Sequence, residues 1–259
     1  MTVERHDAPL DPAARRDSPW WGVHASRYLF ALPFADARRI LDVACGTGYG
    51  LPLLAARARA VVGADADLEA LRTAQAFGAQ AGAHVVRADA CRLPFADGAW
   101  DVVTSFETIE HLQERAAFVS EVRRALGPGG VAVISTPNAN YTQPIEGKPR
   151  NPFHLHEYAP GEFTSELGRA FSRVELFGQS LSARFAISPF WDDQQRLPRS
   201  FGPQAWLMTW RVLNRTPAAL RDRLSQAIWG HPLIPTEQDY DFSPARVDDA
   251  PVLVAVCRA

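Results

Sequence analysis

Short β-rich runs alternate with helix-forming segments from residue 39 onward, and few folds accommodate such a rhythm. "RRILDVA", "AVVGAD", "HVVRAD", "DVVTSF" and "VAVIST" predict strands, and "YGLPLLAARA", "LEALRTAQAFG" and "ERAAFVSEVRRAL" predict helices. Further on, "PGEFTSELGRA" predicts a helix, and "FSRVELFGQ" and the closing "PVLVAVCRA" predict strands. Strands of four to six residues separated by helices predict an α/β fold, with a largely parallel sheet covered by helices on both faces. Parallel strands all end at one edge of a sheet, so the loops that follow them converge there, where ligands of open α/β sheets bind.

The flanking segments divide the chain. Residues 1–18 read as a flexible N-terminus, and "PWWGVHASRYLFALPF" from residue 19 as an amphipathic leading helix. The strand–helix core is expected over 19–179 and 246–259. Residues 180–245 break the rhythm with prolines, tryptophans and the helical pieces "AWLMTWRVLN" and "PAALRDRLSQAIWG", and read as a helical lid or insertion before the last strand. Between residues 192 and 223 its arginines at 196, 199, 211, 215, 221 and 223 outnumber the acids Asp192, Asp193 and Asp222. They could meet an anionic acceptor or form a solvated face, and the segment could equally be a homodimer contact.

Composition excludes several classes. The net charge is −2 and Lys148 is the only lysine, which argues against nucleic acid as a partner. No apolar run approaches the roughly 18 residues of a membrane span. The polar stretch before the leading helix has no apolar h-region and is not expected to act as a secretory leader, and three dispersed cysteines, Cys45, Cys91 and Cys257, suit reduced thiols in a cytoplasmic protein.

The first strand-to-helix loop, "LDVACGTGYG", carries Gly46 and Gly48 in a GxGxG order. This is neither the GxGxxG of dinucleotide sites nor a phosphate-binding P-loop. Asp42 lies in the first strand, Asp65 at the end of the second and Asp89 just after the third. Three acids near one sheet edge suit a cationic nucleoside better than a pyrophosphate. With "DVVTSFETIEHL" and "LGPGGVAVISTPN" following in order, the chain resembles the class I S-adenosylmethionine-dependent methyltransferases over about residues 19–180 and the last strand. The resemblance implies a doubly wound, Rossmann-like seven-stranded sheet with an antiparallel last strand. It implies that Gly46 and Gly48 approach the methionine part of S-adenosylmethionine. Asp65 would hold the ribose and Asp89, with Ala90 beside it, the adenine. Asp42, Glu107 and Tyr28 are counted with the cofactor too, Asp42 orienting the loop and Tyr28 reaching the cofactor carboxylate. Ala44 departs from the family, which usually has Gly there.

The acceptor side is read from two clusters. In "FETIEHL", Glu107, Glu110 and His111 are spaced for one face of a helical turn, and "FHLHEY" supplies His154 and His156 from the loop after the fifth strand. His111, His154 and His156 are the candidate bases for deprotonating a hydroxyl. "TPN…NPFHLHEYAPGEF" resembles bacterial methyltransferases of polysaccharide and natural-product sugar pathways, some of them magnesium-dependent O-methyltransferases. "ExxEH…TPN…H" also resembles the small-RNA 3′-terminal 2′-O-methyltransferases, which would place a Mg²⁺ or other divalent cation on Glu107, Glu110, His111 and His156. The expectation is O-methylation of a sugar or sugar-bearing, polyhydroxylated small molecule. The alternatives are the RNA activity and a non-catalytic cofactor-binding scaffold.

Overall fold

The computed structural model describes residues 18–259, without the side chains of Trp191 and Asp192. The expected flexible stretch up to residue 17 therefore lies outside the described residues, as do those two side chains of the insertion. Helix α1 (Pro19–Ala31) leads into β1 (Arg39–Val43), α2 (Leu51–Ala55), β2 (Ala60–Asp65), α3 (Leu68–Ala81) and β3 (His84–Arg87). Then come β4 (Trp100–Phe106), α4 (Arg115–Ala125), β5 (Leu126–Pro137), the single turn α5 (Ala139–Thr142), α6 (Pro160–Leu167) and β6 (Arg173–Leu181). Helices α7 (Trp191–Arg196), α8 (Phe201–Leu213) and α9 (Ala218–Trp229) precede β7 (Tyr240–Ser243) and β8 (Val252–Arg258).

The sheet order is β3-β2-β1-β4-β5-β8-β6-β7. β1 pairs in parallel with β2 and β4, and β8 runs antiparallel between β5 and β6. The expected antiparallel last strand is thus present, while the sheet has eight strands where seven were expected. The extra one, β7, is four residues of "YDFS" at the edge, too short and polar to give a periodic signal. The "GPGG" that precedes "VAVIST" is itself part of β5.

Alternate residues of the central strands feed two hydrophobic clusters, one per face. Leu41, Val103, Ile134 and Leu253 join one cluster, and Ile40, Val102, Val133 and Val254 the other. Burial on both faces is why these strands are apolar runs with no polar alternation. Helix α3 starts on Asp67, whose side chain accepts from the Glu69 amide, and stops at left-handed Gly82.

The described chain forms two compact units. One comprises residues 27–180 and 242–259 and holds the site. The other contains residues 181–241 with those of α1 up to Ser26, and has a core of its own built on Ile187, Leu207, Trp210, Leu213, Leu233 and Ile234. Among the described residues no helix is long and apolar enough to cross a membrane.

Candidate active site

The loop after β1 is shaped by backbone that leaves the right-handed region. Ala44, Gly46 and Gly48 have φ of 57°, 55° and 75°. At Gly48 a Cβ would sit 2.6 Å from that of Ala74, so glycine serves both the turn and the packing against α3. Ala44 adopts the same left-handed geometry with a side chain, at a cost of about 1 kcal/mol. Its departure from the family's usual Gly is absorbed as strain.

Under this loop, Asp42 is fully buried. Its Oδ1 accepts from Thr104 Oγ1 at 2.7 Å and its Oδ2 from the Tyr28 hydroxyl at 3.0 Å. Burial pushes the Asp42 carboxyl up to about 7, against the pull of those two donors. Tyr28 was expected to reach the cofactor. It is instead sealed under the loop, wedged edge-on against Phe106 and Tyr49, with its hydroxyl spent on Asp42. Its role is to support the loop from beneath.

At the strand ends, Asp65 Oδ2 accepts from the Gly46 amide and Oδ1 from the Asp67 amide, each at 2.8 Å. Each oxygen keeps a second lone pair for a ligand donor. Asp89 is exposed and fixed by the Cys91 amide on Oδ1 at 2.8 Å. Asp65, Asp89, Ala90, Ala44, Glu107 and His111 share the walls of one cleft of about 230 Å³ at this edge.

Beyond β4 the chain does not continue as a helix. Glu107 takes a left-handed φ of 52°, and Ile109–His111 form a single 3₁₀ turn. The expected common face for Glu107, Glu110 and His111 is lost because Glu107 lies outside the turn. Its Oε1 accepts from Ser135 Oγ at 2.8 Å and faces the buried Arg27, whose Nη1 is 3.6 Å away. A non-glycine residue held in this strained region fits a position set by function. Arg27 went unnoticed in the sequence, where one arginine on a leading helix gives no signal. In the fold it is 1% exposed, with Nε donating to Gln179 at 2.7 Å.

The two loops do meet. The Glu110 carbonyl accepts the Leu155 and His156 amides at 2.7 and 3.2 Å, and the His111 and His154 rings stand edge to face at 4.8 Å. His111 Nδ1 is 3.0 Å from the Phe153 carbonyl, which can only accept, so Nδ1 carries the proton and Nε2 is left as a lone pair. That Nε2 is 4.0 Å from Glu110 Oε1. Glu110 is fully buried; its Oε2 accepts from Thr136 at 3.0 Å, while Oε1 has no hydrogen-bond partner. Burial, and then the neighbouring Glu107, raise the Glu110 carboxyl well above the ordinary carboxylate value. His154 Nδ1 bonds Glu157 Oε1 at 2.7 Å, and Glu157 accepts from Thr142 through its other oxygen.

One ligand atom from each of Glu110, His111 and His154 falls within 4.8 Å of the others. This is not the metal set expected from the sequence. Glu107 is engaged by Arg27 and Ser135, and His156 turns away to bond Glu162 through Nε2 at 2.7 Å and pack on Tyr158. The physical reason is the backbone. In "FHLHEY" it is the amides of Leu155 and His156 that clamp Glu110, so successive side chains diverge and only His154 faces His111. His156 therefore also leaves the set of candidate bases. His154, held by Glu157 and, on Nε2, by Asn151 at 2.9 Å, is less available as a base than His111.

The comparisons agree with this architecture. The methyltransferase domain family matches residues 41–134, from the first strand into β5. A probable S-adenosylmethionine-dependent methyltransferase of Mycolicibacterium smegmatis is 37% identical over 169 residues, 63% of each chain. A ubiquinone biosynthesis O-methyltransferase of Chromobacterium violaceum is 32% identical over 158 residues, 56% of this chain and 67% of that one. This chain belongs to the class I S-adenosylmethionine-dependent methyltransferase family. It spans about three-fifths of the length of its mycobacterial relatives. At the level of fold, a methyltransferase structure from Mesorhizobium loti superposes with a TM-score of 0.55 at 19% identity, over 93% of this chain and 98% of that one.

The residues at the methyltransferase cleft fit the family's cofactor. Asp65 and Asp89 offer carboxylate oxygens at the ends of adjacent strands, and a sulfonium is compatible with an acid-lined site. The left-handed backbone at 44–48 lets the chain approach a ligand closely.

Proposed function

We propose that this methyltransferase transfers the methyl group of S-adenosylmethionine to a hydroxyl of a sugar or sugar-bearing small molecule, with His111 as general base. The observation that carries this reading is the double position of His111. It lines the cofactor cleft and, through the Phe153 carbonyl, presents a basic Nε2 beside Glu110. The bound cofactor supplies a methyl group already activated on a sulfonium. The chain's part is to hold the acceptor hydroxyl in line and to take its proton on Nε2 as the new O–C bond forms. The resulting imidazolium stands next to Glu110, whose otherwise unpartnered oxygen can then accept from its Nε2–H. The name of the Chromobacterium relative, an O-methyltransferase, supports oxygen as the acceptor atom.

The test is methyl transfer from labelled S-adenosylmethionine to a panel of monosaccharides, nucleotide sugars and glycosides. His111→Ala is expected to lower turnover by about 10²- to 10⁴-fold with little change in cofactor affinity. Full activity in that variant would remove His111 as the base. Asp65→Ala should weaken cofactor binding about ten- to a hundredfold by calorimetry, the worth of hydrogen bonds to a charged group. Unchanged affinity would sink the ribose assignment.

A second reading rests on the unpartnered Oε1 of Glu110. Both His111 and His154 fix Nδ1 on an oxygen acceptor, the arrangement that orients metal-binding imidazoles. A divalent cation held by Glu110 and His111, and by His154 once its Nε2 leaves Asn151, would acidify an acceptor hydroxyl. Mn²⁺ or Mg²⁺ titration by calorimetry separates the readings. Heat that vanishes in Glu110→Gln supports a cation, and absence of heat together with EDTA-insensitive turnover leaves the base alone. The RNA alternative loses support, since its four expected ligands do not gather. A purely scaffolding role gives no reason for a buried carboxyl oxygen left unpartnered beside a histidine lone pair.

A further inference from the structure

Helix α9 is built inside out. It buries Arg221, 5% exposed, and Ser225, while Leu220, Leu224 and Ile228 are 49%, 38% and 45% exposed. These three recur every fourth residue, so they form one outward stripe. Helix α8 is apolar on two sides. Leu207, Trp210 and Leu213 enter the core of this unit, and Phe201, Met208 and Val212 line the opposite, exposed side, with Phe201 at 89%. A helix that needs to bury only one stripe gains nothing in water from a second one, and exposed apolar faces of this kind mark interaction surfaces.

The charge around these stripes selects the partner. Residues 194–229 carry six arginines and one acid, Asp222, and that acid is bonded to the buried Arg221. Arg223 is exposed on α9, Arg215 is exposed in the turn between the two helices, and Arg199 is exposed ahead of α8. We propose that the outward face of α8 and α9 docks on an anionic phospholipid surface. Leu220, Leu224, Ile228, Phe201, Met208 and Val212 enter the headgroup boundary, and the arginines meet lipid phosphates. An arginine guanidinium both pairs with phosphate and tolerates partial dehydration. A second copy of the chain fits this face less well, because a two-fold interface would bring the same cationic patch against itself. With 13 and 12 residues, the two helices are too short to span a bilayer, and the mode is peripheral.

The experiment is co-sedimentation of the whole chain with vesicles of phosphatidylcholine containing phosphatidylglycerol, against phosphatidylcholine alone. Binding is expected only to the anionic vesicles and should weaken with salt. Arg215→Gln and Arg223→Gln should each reduce partitioning about fivefold, the worth of one basic residue near such a surface. The triple variant Leu220→Gln, Leu224→Gln, Ile228→Gln changes only exposed positions and should abolish binding while circular dichroism and cofactor affinity stay as in the parent. No binding to anionic vesicles at low salt would overturn the proposal, as would equal binding to the neutral ones. A concentration-dependent dimer that the triple variant dissolves would also overturn it, in favour of a second copy.

Discussion

Asp42 has no exposed surface, and its two neighbours, Thr104 and Tyr28, can each hydrogen-bond a neutral side chain as well as a charged one. Burial raises its carboxyl from the ordinary 3.8 to about 7 in the folded state. The folded protein therefore binds a proton that the unfolded chain has already lost between those two values. Stability from this group is full below pH 3.8 and falls away as pH rises through about 7. Asp42→Asn should flatten the pH dependence of urea-unfolding stability across that window in cofactor-free protein. An unchanged slope would locate the titration elsewhere. The sequence displayed Asp42 as an acid within a strand, but which groups would surround it was not legible there, because Tyr28 lies on a different element.

Elements show where local pattern stops deciding. The meeting of α1 with the glycine loop depends on Gly50, where a Cβ would lie 2.0 Å from the Tyr28 ring. Gly50→Ala should cost about 1–3 kcal/mol in denaturant unfolding, the usual cost of overpacking. Wild-type stability would mean that the ring can move. The "FETIEHL" segment was read with helical spacing, and its Glu/His content marked it correctly as part of the cleft wall. Its geometry was not legible, because a left-handed Glu107 is held by Ser135 from β5 and by Arg27 from α1. Likewise "HLHE" showed two histidines with equal claims. Only the backbone bonds from Leu155 and His156 to Glu110 chose His154 over His156.

For the molecule as a whole, two units with separate cores predict two thermal transitions. Residues 181–241, with the smaller core, should melt at the lower temperature. S-adenosylmethionine should move the upper transition alone, by about 2.7 kcal/mol at a hundredfold excess over its dissociation constant. A single calorimetric transition shifted entire by the cofactor would show that the units unfold as one.

With the antiparallel closing strand implied only by the family resemblance, the sequence by itself determined the alternation of strands and helices, the glycine loop and the acids at the strand ends. These depend on period, turn chemistry and chain direction, which are local properties. Only the tertiary structure decided which side chains share a site. It buried Arg27 against Glu107, committed Tyr28 to Asp42, left one oxygen of Glu110 facing His111, and turned the leucines of α9 outward. Those outcomes depend on contacts between residues distant in sequence and on the dielectric that burial creates, and neither is written in the spacing of any one segment.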